Sequence, residues 1–178
     1  MDAMLCCGSM DDHVSLCEPL EILKSQHLSM LNKLDVIYVA AGMILSGAGS
    51  EDWTEKINDL RKKMDLFVAE LNPHSKREDD VLFPMLAKYL SRENSPLALM
   101  EQEHAEGEKC LRLFFAACES AASPVQDEQA RHIAALALSA YSIYGCHFMK
   151  EQSFLFPIAD RMFTAEEKEI LAKKIRKI

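Results

Sequence analysis

Two histidines in this chain are each followed, four residues later, by a glutamate and then by the same tripeptide. The copies are His74, Glu78 and Leu82-Phe83-Pro84, and His147, Glu151 and Leu155-Phe156-Pro157. Residues four apart on an α-helix project from one face, about 6 Å apart along the axis. An imidazole and a carboxylate so placed give one helix a grip on a metal ion. Two further histidines, His27 and His104, fall inside apolar stripes of helical period. A lone histidine on such a stripe is ordinarily a hydrogen-bonded core residue. A glutamate there is rarer, because a carboxylate out of water costs several kcal/mol unless it is paired or bound to a metal.

These residues need helices to carry them. Glu18-Pro19 opens the first, with an apolar stripe at Leu20, Leu23, Leu31, Leu34, Tyr38 and Ala41 that contains His27; the run Ser46 to Ser50 ends it. A second helix starts near Asp52 and carries Ile57, Leu60, Met64, Phe67 and Leu71 into His74 and Glu78, with bends expected at Pro73 and Pro84. Ser95-Pro96 caps a third, with Leu97, Met100, His104, Leu111 and Phe115 inward and Glu108 one turn past the histidine. Ser123-Pro124 gives the start signal of a fourth, in which Ile133, Leu136, Ala140 and Ile143 lead to His147, Glu151, Phe154 and Ile158. Thr164 to Glu167 reads as a capping box for a short last helix. The fold expected is all-α: an up-down-up-down four-helix bundle over residues 15–178 with a short C-terminal fifth helix, preceded by a flexible arm over 1–14. At about 1.5 Å per residue, about 18 residues up the odd helices and about 22 down the even ones return to one height, so the four histidines share a layer.

Composition narrows the classes. A net charge of −8 leaves no basic stripe for nucleic acid. No uninterrupted apolar run approaches the roughly 20 residues of a membrane span, so no integral membrane segment is expected. The first residues lack the basic and apolar regions of a signal peptide, which predicts a cytoplasmic protein with its six cysteines as free thiols. His132, about 22 Å along the helix from His147, and His13 in the arm are surface residues on this reading. Cys146 turns about 100° away from His147 and reads as a small buried hydrophobe, not a ligand. Cys6-Cys7 is the better redox candidate. The basic last helix either packs across the bundle end or touches an anionic membrane, the first being favoured.

Four imidazoles and two carboxylates serve two ions if the glutamates bridge, and a closed structural zinc site would ask for other ligands. Imidazole with carboxylate suits iron or manganese, with zinc left open. Glu108 is either a further ligand or a surface partner of Lys109 or Arg112; its helical spacing favours ligation. Tyr144, one turn before His147, either hydrogen-bonds a ligand at the metals or packs in the core. A metal-free bundle with a polar layer is the bland alternative.

Over about residues 16–162 the order and spacing of His27, His74, Glu78, His104, His147 and Glu151 resemble the hemerythrin-like family of HHE cation-binding domains. The resemblance implies a non-haem centre of two iron ions that binds dioxygen, peroxide or nitric oxide in sensing, storage or stress protection. The rival reading, of a kind some relatives resemble, is a di-iron enzyme: a peroxidase, nitric oxide reductase or iron-sulfur repair factor. With no output domain in view, signalling would need a separate protein partner. Hemerythrins proper carry a second histidine where this chain has Glu108, and an aspartate where it has Gln152. That exchange predicts a harder, more anionic site, favouring the oxidised metal over simple reversible oxygen carriage.

Overall fold

The computed structural model describes residues 15–47, 52–91 and 95–178; the expected arm over 1–14, with Cys6, Cys7 and His13, lies outside them. Four long helical segments make an all-α bundle: α1 (Glu18–Ser46), α2 (Thr54–Arg77), α4 (Pro96–Ser120) and α5 (Asp127–Lys150). Both α2 and α5 run on through a π-helical turn, Glu78–Leu82 and Glu151–Leu155, into short continuations α3 (Phe83–Leu86) and α6 (Phe156–Met162). A last helix, α7 (Ala165–Ile175), closes one end. Arg61, early in α2, pairs with Glu119 at the end of α4, and Arg131, early in α5, donates to the Leu45 carbonyl at the end of α1, giving the up-down order; Lys33 of α1 pairs with Glu70 of α2.

The buried positions advance by three and then four residues. They are Leu20, Leu23, His27, Met30, Leu34, Ile37, Ala41 and Ile44 on α1, and Leu97, Met100, His104, Gly107, Leu111 and Phe114 on α4. This is the seam of a bundle whose helices cross at a shallow angle. It corrects several inward positions. Tyr38 is 51% exposed and lies against Tyr141, while Ile37 is buried. Phe114 takes the place expected of Phe115, and Ala137 and Tyr144 are more deeply buried than Leu136 and Ile143.

The two π-helical turns explain the repeated tripeptide. In each, the phenylalanine amide donates five residues back, Phe83 to the Glu78 carbonyl and Phe156 to that of Glu151. Pro84 and Pro157 follow at once, in the first turn of α3 and α6. A proline lacks an amide hydrogen and crowds the carbonyl four residues back, and the wider turn places the extra residue where that conflict falls. The inserted residue also resets the inward face. Leu155 is buried, and Phe154, expected inward, is 63% exposed. Helix α2, by contrast, runs unbroken through Pro73.

Ser95 caps α4 by accepting from the Ala98 amide, and Thr164 with Glu167 forms the expected capping box on α7. The fourth long helix begins at Asp127, not at Ser123-Pro124. Residues 123–126 instead dock on the start of α2, where Trp53 N–H donates to the Val125 carbonyl and Val125 N–H to Thr54 Oγ1. Among the described cysteines, 17, 110, 118 and 146 are free; Cys146 is exposed, not buried. His132 is exposed as expected.

The core falls into two apolar clusters. One, running from Met30 to Phe148, fills the half holding the α1 C-terminus; the other, from Leu16 to Ile175, joins the α1 N-terminus to α3, α6 and α7. Leu171 and Ile175 of α7 are buried there, so the basic last helix packs across the bundle end. Among the described residues α1 alone is long and apolar enough to cross a membrane, yet its buried stripe is core and carries His27.

Candidate metal centre

Between the two apolar clusters lies the molecule's buried polar layer: His27, His74, Glu78, His104, His147 and Glu151, all at most 9% exposed. Each of the four long segments contributes a histidine. His27 Nε2 lies 3.1 Å from His74 Nε2, and His104 Nε2 lies 2.9 Å from His147 Nε2. Both carboxylates span the two pairs. Glu78 places Oε1 3.2 Å from His74 Nε2 and Oε2 3.6 Å from His104 Nε2; Glu151 places Oε1 3.2 Å from His147 Nε2 and Oε2 3.3 Å from His27 Nε2. Two ligand groups result, His27, His74, Glu78, Glu151 and Glu78, His104, His147, Glu151, each with donor atoms within 4.8 Å of one another.

The donor set fits metal ions better than it fits a hydrogen-bonded layer. All four oxygens of Glu78 and Glu151 are buried without a hydrogen-bond partner, an arrangement that water-free protein ordinarily excludes. Two nitrogens bound at right angles to one ion at about 2.0–2.1 Å stand about 3 Å apart, close to both imidazole separations. Electrostatics agree. Burial and the Glu151 charge push the Glu78 carboxyl above its usual range. Burial opposes charge at Glu151 too, but the His147 and His27 rings outweigh it and hold that carboxyl well below its usual range. Burial lowers His147, yet the nearby Glu151 and Glu78 charges and the hydrogen bond to Glu103 carry it up to about 9. The cluster thus concentrates negative charge that a cation can neutralise.

A family model described as the hemerythrin HHE cation binding domain matches residues 18–135. The chain belongs to the hemerythrin HHE family. No curated protein and no solved structure matches it. The matched stretch ends before His147 and Glu151, which α5 and the π-helical turn after it bring beside His27, His74, Glu78 and His104.

Glu108, the seventh expected ligand, is not brought to the cluster. From His104 the α4 seam advances three residues, to Gly107, so position 108 turns outward; its side chain is 72% exposed and pairs with Arg112 at 3.3 Å. The expectation of a harder site loses its basis, because this carboxylate adds no charge among the ligands. We expect Glu108→Gln to keep the full metal content by elemental analysis and to change stability by no more than about 0.5 kcal/mol, the scale of an exposed i,i+4 pair.

Tyr144 occupies the ground that Glu108 leaves. Its ring lies against Phe67, 5.3 Å between centroids, and over Gly107, where a β-carbon would fall 2.6 Å from the phenol oxygen. Alanine at 107 gains about 1 kcal/mol of helix propensity and loses about 1–3 kcal/mol to overpacking. Gly107→Ala is therefore expected to destabilise the bundle by roughly 1 kcal/mol, and Tyr144→Leu in the same chain to restore it; denaturant melts check both.

His104, His74 and His147 have outer partners that the sequence reasoning missed, as does His27. Their Nδ1 atoms meet Asp79 Oδ1 at 2.8 Å, Gln26 Oε1 at 2.8 Å, Glu103 Oε2 at 3.1 Å and, for His27, the Gln152 amide at 2.8 Å. The signal was adjacency. Each partner is the sequence neighbour of a ligand, turned about 100° from it and so toward the next helix. A cleft of about 310 Å³ between α2 and α4, lined by Asn72, Asp79, His104, Glu108 and Tyr144 among others, reaches the layer from solvent at His104.

Proposed function

We propose that the cluster holds two iron ions bridged by Glu78 and Glu151, and that the protein binds dioxygen, peroxide or nitric oxide in sensing, storage or protection against oxidative and nitrosative stress in the cytoplasm. The observation that carries this reading is the bridging placement of the two carboxylates, whose four buried oxygens have no other partner. A pair of iron ions supplies open coordination positions and electrons for a small oxygen or nitrogen ligand. The chain supplies the rest. Glu78 and Glu151 hold the charge, and the outer partners fix each ring. Phe148 stacks 4.5 Å from His27 and Phe83 stands 5.1 Å from His104, keeping bulk water from the layer. The cleft of about 310 Å³ at His104 and Tyr144 has the volume for a diatomic ligand.

An oxygen-dependent absorption band from the reduced, iron-loaded protein tests this, and a spectrum unchanged by oxygen, peroxide or nitric oxide at full iron loading would count against it. The enzyme reading requires many turnovers of peroxide or nitric oxide per chain with a reductant, whereas a binding protein takes up its ligand once. Thiolate chemistry at Cys17 and Cys118 has little support. Burial pushes Cys17 and Cys118 up to about 11, so both stay protonated at neutral pH.

A further inference from the structure

The outer partners of the four histidines form a closed circuit around the bundle. Gln26 on α1 holds His74 of α2; Asp79, just past α2, holds His104 of α4; Glu103 on α4 holds His147 of α5; Gln152, just past α5, holds His27 of α1. The two hairpins are related by the repeat that gives the site its His-Glu pairs, so Gln26 corresponds to Glu103 and Asp79 to Gln152. Each corresponding pair contains one carboxylate and one carboxamide. Both carboxylates nevertheless fall on one imidazole pair, His104 and His147, and both carboxamides on the other.

We propose that the two halves of the centre are unequal by construction, the His104–His147 half taking the first metal ion and holding it more tightly than the His27–His74 half. The inference rests on the two-ion reading. It follows from what the outer partners can do. An ionised carboxylate only accepts, so Asp79 and Glu103 require a proton on Nδ1 and leave Nε2 free to ligate. A carboxamide both donates and accepts. Gln152 presents its Nε2 to His27 Nδ1, an arrangement in which the ring accepts there and its proton sits on the ligating nitrogen. Gln26 presents its oxygen to His74 Nδ1, as the carboxylates do to His104 and His147, so the difference lies at His27: a metal ion entering the first pair meets two rings whose Nδ1 already donates outward, while one entering the second must also turn the Gln152 amide before His27 can do the same. The carboxylates also raise the basicity of the rings they hold. Two features temper the effect. Lys150 pairs with Glu103, sharing its charge, and Asp79 is 47% exposed. Asp79 and Glu103 are positioning residues: each acts through a ring and touches no metal.

Stepwise titration of the metal-stripped full chain with Zn²⁺, followed by calorimetry and by imidazole nitrogen NMR, tests the inference. The wild type is expected to take two ions in resolved steps, with the His104 and His147 resonances moving in the first. Asp79→Asn with Glu103→Gln is expected to weaken the first step by about 10–100-fold and leave the second nearly unchanged. Gln26→Glu with Gln152→Glu is expected to tighten the second step, which keeps the test decisive if the first variant is poorly folded. Two ions bound in the wild type with His27 and His74 shifting first, or steps equally spaced in wild type and both variants, overturn the inequality alone. A single ion bound by the wild type overturns the two-ion reading and this inference with it.

Discussion

Glu151→Ala is expected to empty both halves of the centre, while His74→Ala is expected to disable only one. Glu151 stands 3.2 Å from His147 Nε2 with one oxygen and 3.3 Å from His27 Nε2 with the other, so its loss takes a donor from each ligand group. His74 belongs to one group. Removing an outer partner of a metal ligand already weakens binding about 10–100-fold, and removing a shared ligand should exceed that in both halves at once. Elemental analysis of iron-supplemented protein should therefore rank the wild type above His74→Ala and His74→Ala above Glu151→Ala, with exposed His132→Ala level with the wild type. Full metal content in both ligand variants would place the metal elsewhere.

The ligands that order this ranking were legible because their chemistry and their spacing agreed. His74 and Glu78, like His147 and Glu151, combine a four-residue interval with residue types that a core tolerates poorly. The same interval misled at Glu108. Whether three or four residues lead to the next inward position depends on where a helix stands in its seam. His74 is reached by a step of three and followed by one of four; His104 is reached by four, from Met100, and followed by three. The α4 positions 97, 100, 104 and 107 already carried that phase, but Gly107, without a side chain, gave the stripe no apolar mark. Tyr38 and Phe115 were misplaced in the same way, by single steps of four.

Other features lay beyond a periodicity argument. A π-helical turn inserts one residue without altering composition, so Phe154 looks inward in sequence and is turned out by Glu151–Leu155. The repeat of Leu-Phe-Pro was its visible trace. The outer partners are polar residues beside ligands, indistinguishable from solvated surface until the neighbouring helix is in place. The rotation that excluded Cys146 from the layer is the same rotation that carries Gln26, Asp79, Glu103 and Gln152 to the next helix's histidine.

Glu78→Gln should reverse its effect on stability when metal is added. In the chelated protein, Glu78 is buried beside a second buried carboxylate, and both its oxygens lack hydrogen-bond partners. Burial and the Glu151 charge raise its pKa above the ordinary value of 4.5. A raised carboxyl favours the folded state below the unfolded value and loses that contribution as pH rises through the folded one. An uncharged glutamine of the same shape does not titrate. Metal-free Glu78→Gln should thus match the wild type below about pH 4.5 and become the more stable chain as pH rises. With metal the order inverts. A ligand at a hundredfold excess over its dissociation constant stabilises by about 2.7 kcal/mol, which for a chain of this length is a rise in Tm of roughly 5–10 °C. The wild type should show that rise and Glu78→Gln little of it, because one bridging charge is gone from each half. Calorimetric melts of both chains, chelated and iron-loaded, decide the matter: curves that do not cross would mean that the layer is held by its hydrogen bonds, with no ion required.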